Sequence, residues 1–573
     1  MAGGKVKPKK KQRKLTPEER KRRRHQRSQI DRVRGIFGRT GFVRVPDISD
    51  KEFTFSGRTG DVDDVFVREN IIVCTEYTIS TGEKLGDHIK GKVHLFQRMH
   101  EEPQKCIAFL FEKFPTLRSV VSNKYHDSHL RLRILYCSND EVNSQHKALT
   151  SETIFLWGAT VEYFRVLTST LRLSARHEML QFLRLDHGEI GVNGALPDGQ
   201  EEKKFEGSLL PVAHSNFPTG YKVVSFYVTP GTLLDRAYVL RKDGWRQSDG
   251  LYQRLIDKKK IDQIRLHLKR EKRVFANNVI VTLPEGTRLD KDGKEVNPEK
   301  IDRTTSVMVK IPNRSNSIGI VDGQHRIFSY FEDAKDDPDI SEFRARQNLL
   351  ATGVIYPEGT SDADRERFEA GLFLEINANQ NSAKTSLKQA IKVITEPYSD
   401  DSIGKRLVTR LGKITPLEGL IERHAFEKGV LPTSSMVSFA LAQLIRIGGD
   451  ESLLNHWSSP KKADVLAKSD NLALIEYVEF CATQLSIFLS AAKACLPASS
   501  WAIKKNEGAG VLATVSVNGL IILFRKVVKS EGLSDFEGYK EKLKELGNFD
   551  FHGYHSSHYN RMANDMLDKV YGK

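Results

Sequence analysis

The chain has 573 residues, of which 39% are hydrophobic and 28% charged, enough apolar material for several packed cores and too much for wholesale disorder. Residues 1–28 carry +11 of the net +15, so the rest of the chain is nearly balanced at +4 and its basic character is local. The five cysteines include no CxxC pair, which excludes zinc-ribbon and thioredoxin-type motifs and fits a reducing cytoplasm.

In chain order, residues 1–28 read as a disordered basic arm able to hold nucleic acid electrostatically. The spacing predicts a short helix over 29–37, followed by β-type runs FTFSG, DVFV and IIVCTEYTI between residues 53 and 79. Residues 86–115 read as helix, 130–137 as strand and 151–185 as mostly helix. Together these define an α/β domain over 29–190. A Gly/Pro/Asn-rich stretch, 188–220, reads as a linker. A second α/β domain, 215–390, has strands expected at 221–229, 278–283, 305–311, 317–321, 349–355 and 372–376, and a basic helical run over 250–272. From 391 to 573 the apolar period is helical, as expected of a packing or oligomerisation domain. The longest apolar run, 511–524, is broken by Thr514, Ser516 and Asn518 and is too short for a bilayer, so no membrane partner is expected.

The stretch GDVDDVFVRENIIVCTEYT, 60–78, ends one strand on an acid and delivers a second acid, Glu76, thirteen residues after Asp63. Period-two alternation in a hairpin can aim both carboxylates at one point, a hard-oxygen site suited to Mg²⁺ and to phosphodiester chemistry. Asp61 and Asp64 are alternative ligands that sequence does not rank. The segment resembles the PD-(D/E)xK nuclease core, with Asp63 and Glu76 as its acids. It departs from that pattern at Thr78, where a lysine is expected. Lys84, Lys90 or Lys92 on the following helix can reach back in its place. Without such a replacement the fold would persist as a DNA-binding shell.

The segment SIGIVDGQHRIFSYFE places a strand, a turn and a helix in succession. Asp322 reads as an N-cap and Gly323 as the residue permitting a tight turn; Gln324, His325 and Arg326 follow in the first helical turn. Free amides and a guanidinium fork suit a phosphate there. An ordinary strand–turn–helix corner, with Arg326 paired to an acid, satisfies the same spacing. The run DGQHR is the name-giving motif of the DGQHR-domain proteins, which include DndB-type proteins of DNA phosphorothioate modification systems. LYQR (251–254), FANNVIVTL (275–283) and FLEINANQNS (373–382) resemble other pieces of that family in the same order.

The resemblance implies a ParB/sulfiredoxin-like α+β fold over about 220–390. By it Gly323 and Arg326 fall at phosphate-contacting positions, with Asp322, Gln324, His325, Asn377, Gln380 and Arg254 around a nucleotide. His325 is the candidate base if an NTP is hydrolysed. There is no GxxxxGK[ST] run, so a P-loop is excluded. The expectation is an α/β multidomain, DNA-associated cytoplasmic protein of a modification or anti-phage restriction system. It would bind nucleotide at DGQHR and cleave DNA with Mg²⁺ at Asp63 and Glu76, alongside other proteins of the system or as an oligomer. Two alternatives are a non-catalytic DndB-like DNA-binding regulator and an NTPase subunit of a modification complex.

Overall fold

A computed structural model describes residues 16–571, apart from 122, 124, 186–188, 192–201, 216, 242–244, 247–252, 254, 379–384, 424–426, 428, 504–509 and 556. The chain is a mixed α/β multidomain that divides into two compact units, 1–239 with 255–358 and 240–254 with 359–573.

The larger unit begins with helix α1, Pro17–Arg39, closed at its start by a reciprocal bond pair between Thr16 and Glu19. Residues 17–28, part of the arm expected to be disordered, are therefore helical. The capping box and the run of good helix formers after Pro17 outweigh the repulsion among the arginines. Strands β1 (Val43–Arg44), β2 (Phe53–Phe55), β3 (Arg58–Gly60), β4 (Asp64–Arg68) and β5 (Ile71–Thr78) follow, then helix α2, Glu83–Glu101, and strands β6 (Arg131–Ser138) and β7 (Ile154–Trp157). The last of these lies in a stretch expected to be mostly helix.

The main sheet of this part has the order β1-β4-β5-β6-β7. Its first three strands are antiparallel and β5, β6 and β7 run parallel. Strand β5 is buried along its whole length, as a near-continuous apolar run between two neighbours requires. Helix α2 covers one face through Leu85, Ile89, Val93 and Phe96, spaced for one helical stripe. Each such buried side chain contributes about 1.5–3 kcal/mol of burial free energy.

A second sheet in the same unit joins β8 (Glu202–Leu209), β9 (Lys222–Val228), β10 (Ala237–Tyr238), β11 (Val279–Leu283), β12 (Arg288–Lys291), β13 (Lys294–Glu295), β14 (Thr305–Pro312), β15 (Ile318–Asp322) and β16 (Leu349–Ile355). Their order is β10-β15-β11-β16-β9-β8-β14-β12-β13. Strand β8 lies inside the stretch read as a linker. Only Leu209 of it is buried, so it carries no apolar alternation, and it is held by an eight-residue antiparallel ladder to β14. The expected strand at 372–376 is instead part of the helix Asp362–Ala378. The strong helix formers that precede it carry the helix through FLEIN.

In the smaller unit, the helices Asp400–Leu411, Asn471–Ala494, Thr514–Glu531 and Tyr559–Lys569 surround an apolar core that includes Leu407, Leu485, Phe488, Phe524 and Met566. VSFALAQLIRIG forms a π-helical turn, Met436–Leu441, leading into a short α-helix. Asn471–Ala494 is long and apolar enough to cross a bilayer by length and composition, and half of its apolar window is packed inside the protein.

Candidate active site

Consecutive strand residues face opposite sides of a sheet, and this separates Asp63 from Asp64. Asp64 is fully buried and takes Arg34 Nε at 2.7 Å and Arg44 Nε, with Ser49 and Tyr77 hydroxyls donating to the same carboxylate. Burial alone would raise its pKa; the two guanidinium groups outweigh that and lower it. Asp64 is thus a structural anchor for α1, and its ligand role is excluded by its partners.

Asp63 accepts the Tyr77 amide at 2.6 Å, which ties the residue before β4 to the neighbouring strand. Its carboxylate lies with those of Asp50 and Asp61, all three within 4.8 Å of one another. Glu76 projects from the middle of β5 and is 3% exposed. Lys92 on α2 reaches both sides of this corner, with Nζ 2.7 Å from Asp61 and 2.9 Å from Glu76. Of Lys84, Lys90 and Lys92, Lys92 is the one whose ammonium pairs with these acids, while Lys90 lies 3.7 Å from Asp87. Thr78, in the lysine's sequence position, instead accepts the Ser80 amide through Oγ1, and its carbonyl accepts the Gln29 side chain at 3.1 Å.

The electrostatics follow from four acids sharing one ammonium. Burial, reinforced by the charge of Asp63, pushes Glu76 up to about 8 against the pull of Lys92. Burial and the adjacent Asp50 push Asp63 up to about 7 although the Tyr77 amide opposes this. Burial disfavours the charged Lys92, but Glu76 and Asp61 more than reverse it and raise its pKa. Three carboxylates at this spacing, short of positive charge, fit a hard divalent cation. His88 completes the corner: Nδ1 is 2.9 Å from the Tyr136 hydroxyl and Nε2 is 3.7 Å from Glu76. Burial and Lys92 lower its pKa, so it is neutral at pH 7.

The DGQHR corner is built differently. Asp322 ends β15 and is not the N-cap; Gly323 is, at φ 95°, with a helix of only five residues, Gln324–Phe328, behind it. A Cβ on Gly323 would lie 2.7 Å from Val279, so the position requires glycine on two counts. Arg326 Nη2 donates to Asp322 at 2.9 Å and to the Asn278 carbonyl at 2.8 Å, while its Nε is buried without a hydrogen bond among the described residues. His325 Nε2 accepts the amide of Asp257, 3.4 Å away, at the start of the helix Lys258–Glu271. Gln324 is 8% exposed. The expected free helix end is thus a short turn whose guanidinium is already engaged by its own aspartate.

Asn377 lies near the end of the helix Asp362–Ala378 and donates to the Phe373 carbonyl at 2.8 Å, a bond within its own helix that replaces the expected pocket-facing amide. Gln380 and Arg254 lie outside the described residues.

Sequence reasoning missed Asp50, His88 and Tyr136. Asp50 comes from the loop after Pro46–Ile48 and holds a left-handed backbone, φ 57°, which no spacing rule announces. His88 lies four residues before Lys92 on α2, so the i, i+4 pairing of two polar residues on an amphipathic helix was a readable sign. Comparison with family models, with curated proteins and with solved structures returns no match.

Proposed function

We propose that the corner formed by Asp50, Asp61, Asp63, Glu76 and Lys92 is a Mg²⁺-dependent phosphodiesterase site acting on DNA. The observation that carries this reading is Lys92 held at 2.7 and 2.9 Å between Asp61 and Glu76, beside two further carboxylates. A cation taken up by the carboxylates, when bound, stabilises charge on a scissile phosphate and acidifies a water. The protein's own groups supply the rest. Lys92 keeps a positive charge at the edge of the cluster, where a phosphate oxygen gains negative charge. When His88 donates Nδ1–H to Tyr136, its Nε2 lone pair faces Glu76 and can hold a proton taken from the nucleophile.

DNA as substrate is supported by α1. Gln29 binds the carbonyl at the end of β5, two residues beyond Glu76. From there the helix continues toward its start through Lys21, Arg22, Arg23, Arg24 and Arg27, all exposed. At 1.5 Å per residue this basic rod reaches about 12 Å from the catalytic edge, a length that spans several backbone phosphates. The likeness to DGQHR-domain proteins supports a place in a DNA-modification or anti-phage restriction system.

The test is incubation of supercoiled plasmid with Mg²⁺ or Mn²⁺. Wild type is expected to nick it, and Asp63→Asn is expected not to. DNA binding without nicking, unchanged by Asp63→Asn, would favour the regulator reading; NTP hydrolysis lost in Arg326→Ala with intact DNA would favour the NTPase reading.

A further inference from the structure

A cavity of about 340 Å³ lies within the larger unit, away from the carboxylate corner. It opens between the far end of β4, the helix Arg176–Phe182 and the loop between β14 and β15. Its size is that of a small-ligand pocket. Three arginines line it, Arg68, Arg176 and Arg236, against two carboxylates, Asp235 and Glu69, the second of which accepts the Tyr125 hydroxyl.

These cations are not equally committed. Arg176 is paired with Glu332 at 2.6 Å. His177 faces Asp235 at 3.3 Å. Arg236 donates to the Thr232 carbonyl and the Asn313 side chain. Arg68 has no carboxylate within ion-pair distance among the described residues; it makes two long bonds, 3.3 and 3.5 Å, to the carbonyls of Gly41 and Thr40. Gly41 makes this placement workable, because a Cβ there would lie 2.3 Å from the Arg68 guanidinium. Burial, and then the charge of Arg176, lower the pKa of Arg68, against the opposing charges of Glu69 and Glu332.

The lining is not all polar. Leu180, Leu185 and Ile190 offer apolar surface, and Tyr125 also lines the cavity. From the β14–β15 loop, Ser315 and Asn316 add hydrogen-bonding groups.

We propose that this cavity binds a small phosphate-bearing ligand, with its anionic group at Arg68 and an apolar, base-like part against Leu180, Leu185 and Ile190. A guanidinium fork recognises phosphate through paired N–H donors. The cavity exceeds what a lone phosphate fills, which favours a nucleoside phosphate over the free anion. The site is separate from the carboxylate corner and does not depend on it: Arg68 closes the strand that Asp63 precedes, about 17 Å along β4.

The test uses the full chain without added metal. Thermal unfolding is followed with inorganic phosphate, AMP, ATP and adenosine, for wild type, Arg68→Gln, Ser315→Asp and Asp63→Asn. Saturable stabilisation is expected with the phosphate-bearing ligands and not with adenosine, by about 2–4 °C at a hundredfold excess over the dissociation constant. It is expected to be retained in Asp63→Asn and lost in both pocket variants. Ser315→Asp places a like charge in the pocket from a loop, so it reports even if Arg68→Gln folds poorly. A full effect from inorganic phosphate alone supports the site with the free anion as ligand; a larger effect from AMP or ATP supports the nucleoside phosphate. No shift with any phosphate-bearing ligand at millimolar concentration, or an equal shift in wild type and both pocket variants, would overturn the proposal.

Discussion

Two corners of the larger unit combine an aspartate at a strand end with a nearby cation, and they differ in charge balance. At the DGQHR turn, one guanidinium meets one aspartate and one carbonyl, and the charges cancel. At the start of β4, four acids share the single ammonium of Lys92, and two of those acids are held well above the ordinary carboxylate range. A balanced pair stabilises a fold. An unbalanced cluster costs stability until a cation joins it, and that cost marks a functional site more reliably than the presence of charged residues.

The comparison breaks first at the acids. Glu76→Gln is expected to reduce metal-dependent nicking by at least ~100-fold, since it removes a carboxylate that would help hold the cation. Nicking at the wild-type rate would remove this corner from the chemistry. Lys92→Met should cost a similar or slightly smaller factor, and Thr78→Lys added to it should restore part of the loss. Strand β5 points Thr78 to the same face as Glu76, so a lysine there can approach the same acids. No recovery in the double variant would show that Lys92 acts through α2 packing.

Weaker effects sharpen the contrast. Replacing Arg22, Arg23 and Arg24 by glutamine should weaken DNA binding and lower its salt dependence by about 0.9 logarithmic units for each phosphate left without its arginine. An unchanged salt slope would place the DNA elsewhere. Arg326→Ala should lower stability by about 1–3 kcal/mol, by stranding Asp322 and the Asn278 carbonyl, and should leave nicking intact. Loss of nicking with normal stability would give that corner a role beyond structure.

The smallest effect is one of pH. Burial raises the folded-state pKa of Asp63 to about 7 and of Glu76 to about 8. A carboxyl raised on folding contributes stability in acid that is lost as pH rises from about 4, its ordinary range, through the folded value. Without metal, Asp63→Asn should therefore raise the melting temperature at pH 8 by about 2–4 °C, with little gain near pH 4. Equal shifts at both pH values would mean that the acid is not strained.

The central strands were legible because they are buried on both faces and read as unbroken apolar runs, as in 71–78. Strand β8 was not legible, because a partner's ladder and not its own apolar pattern holds it. The Asp63 and Glu76 pair could be read from hairpin alternation. Asp50 could not, since it arrives through a loop of left-handed backbone. The spacing around Arg326 allowed both an anion site and a corner paired to an acid; the pairing with Asp322, an i, i+4 contact, is the second of these.

The most direct measurement is calorimetric titration of Mn²⁺ into wild type and Asp63→Asn at pH 7.5. The expected result is saturable binding to wild type, weakened at least ~10-fold by the substitution, which removes one charged ligand. Identical isotherms for the two proteins, or no binding to wild type at millimolar Mn²⁺, would contradict a cation site at the start of β4.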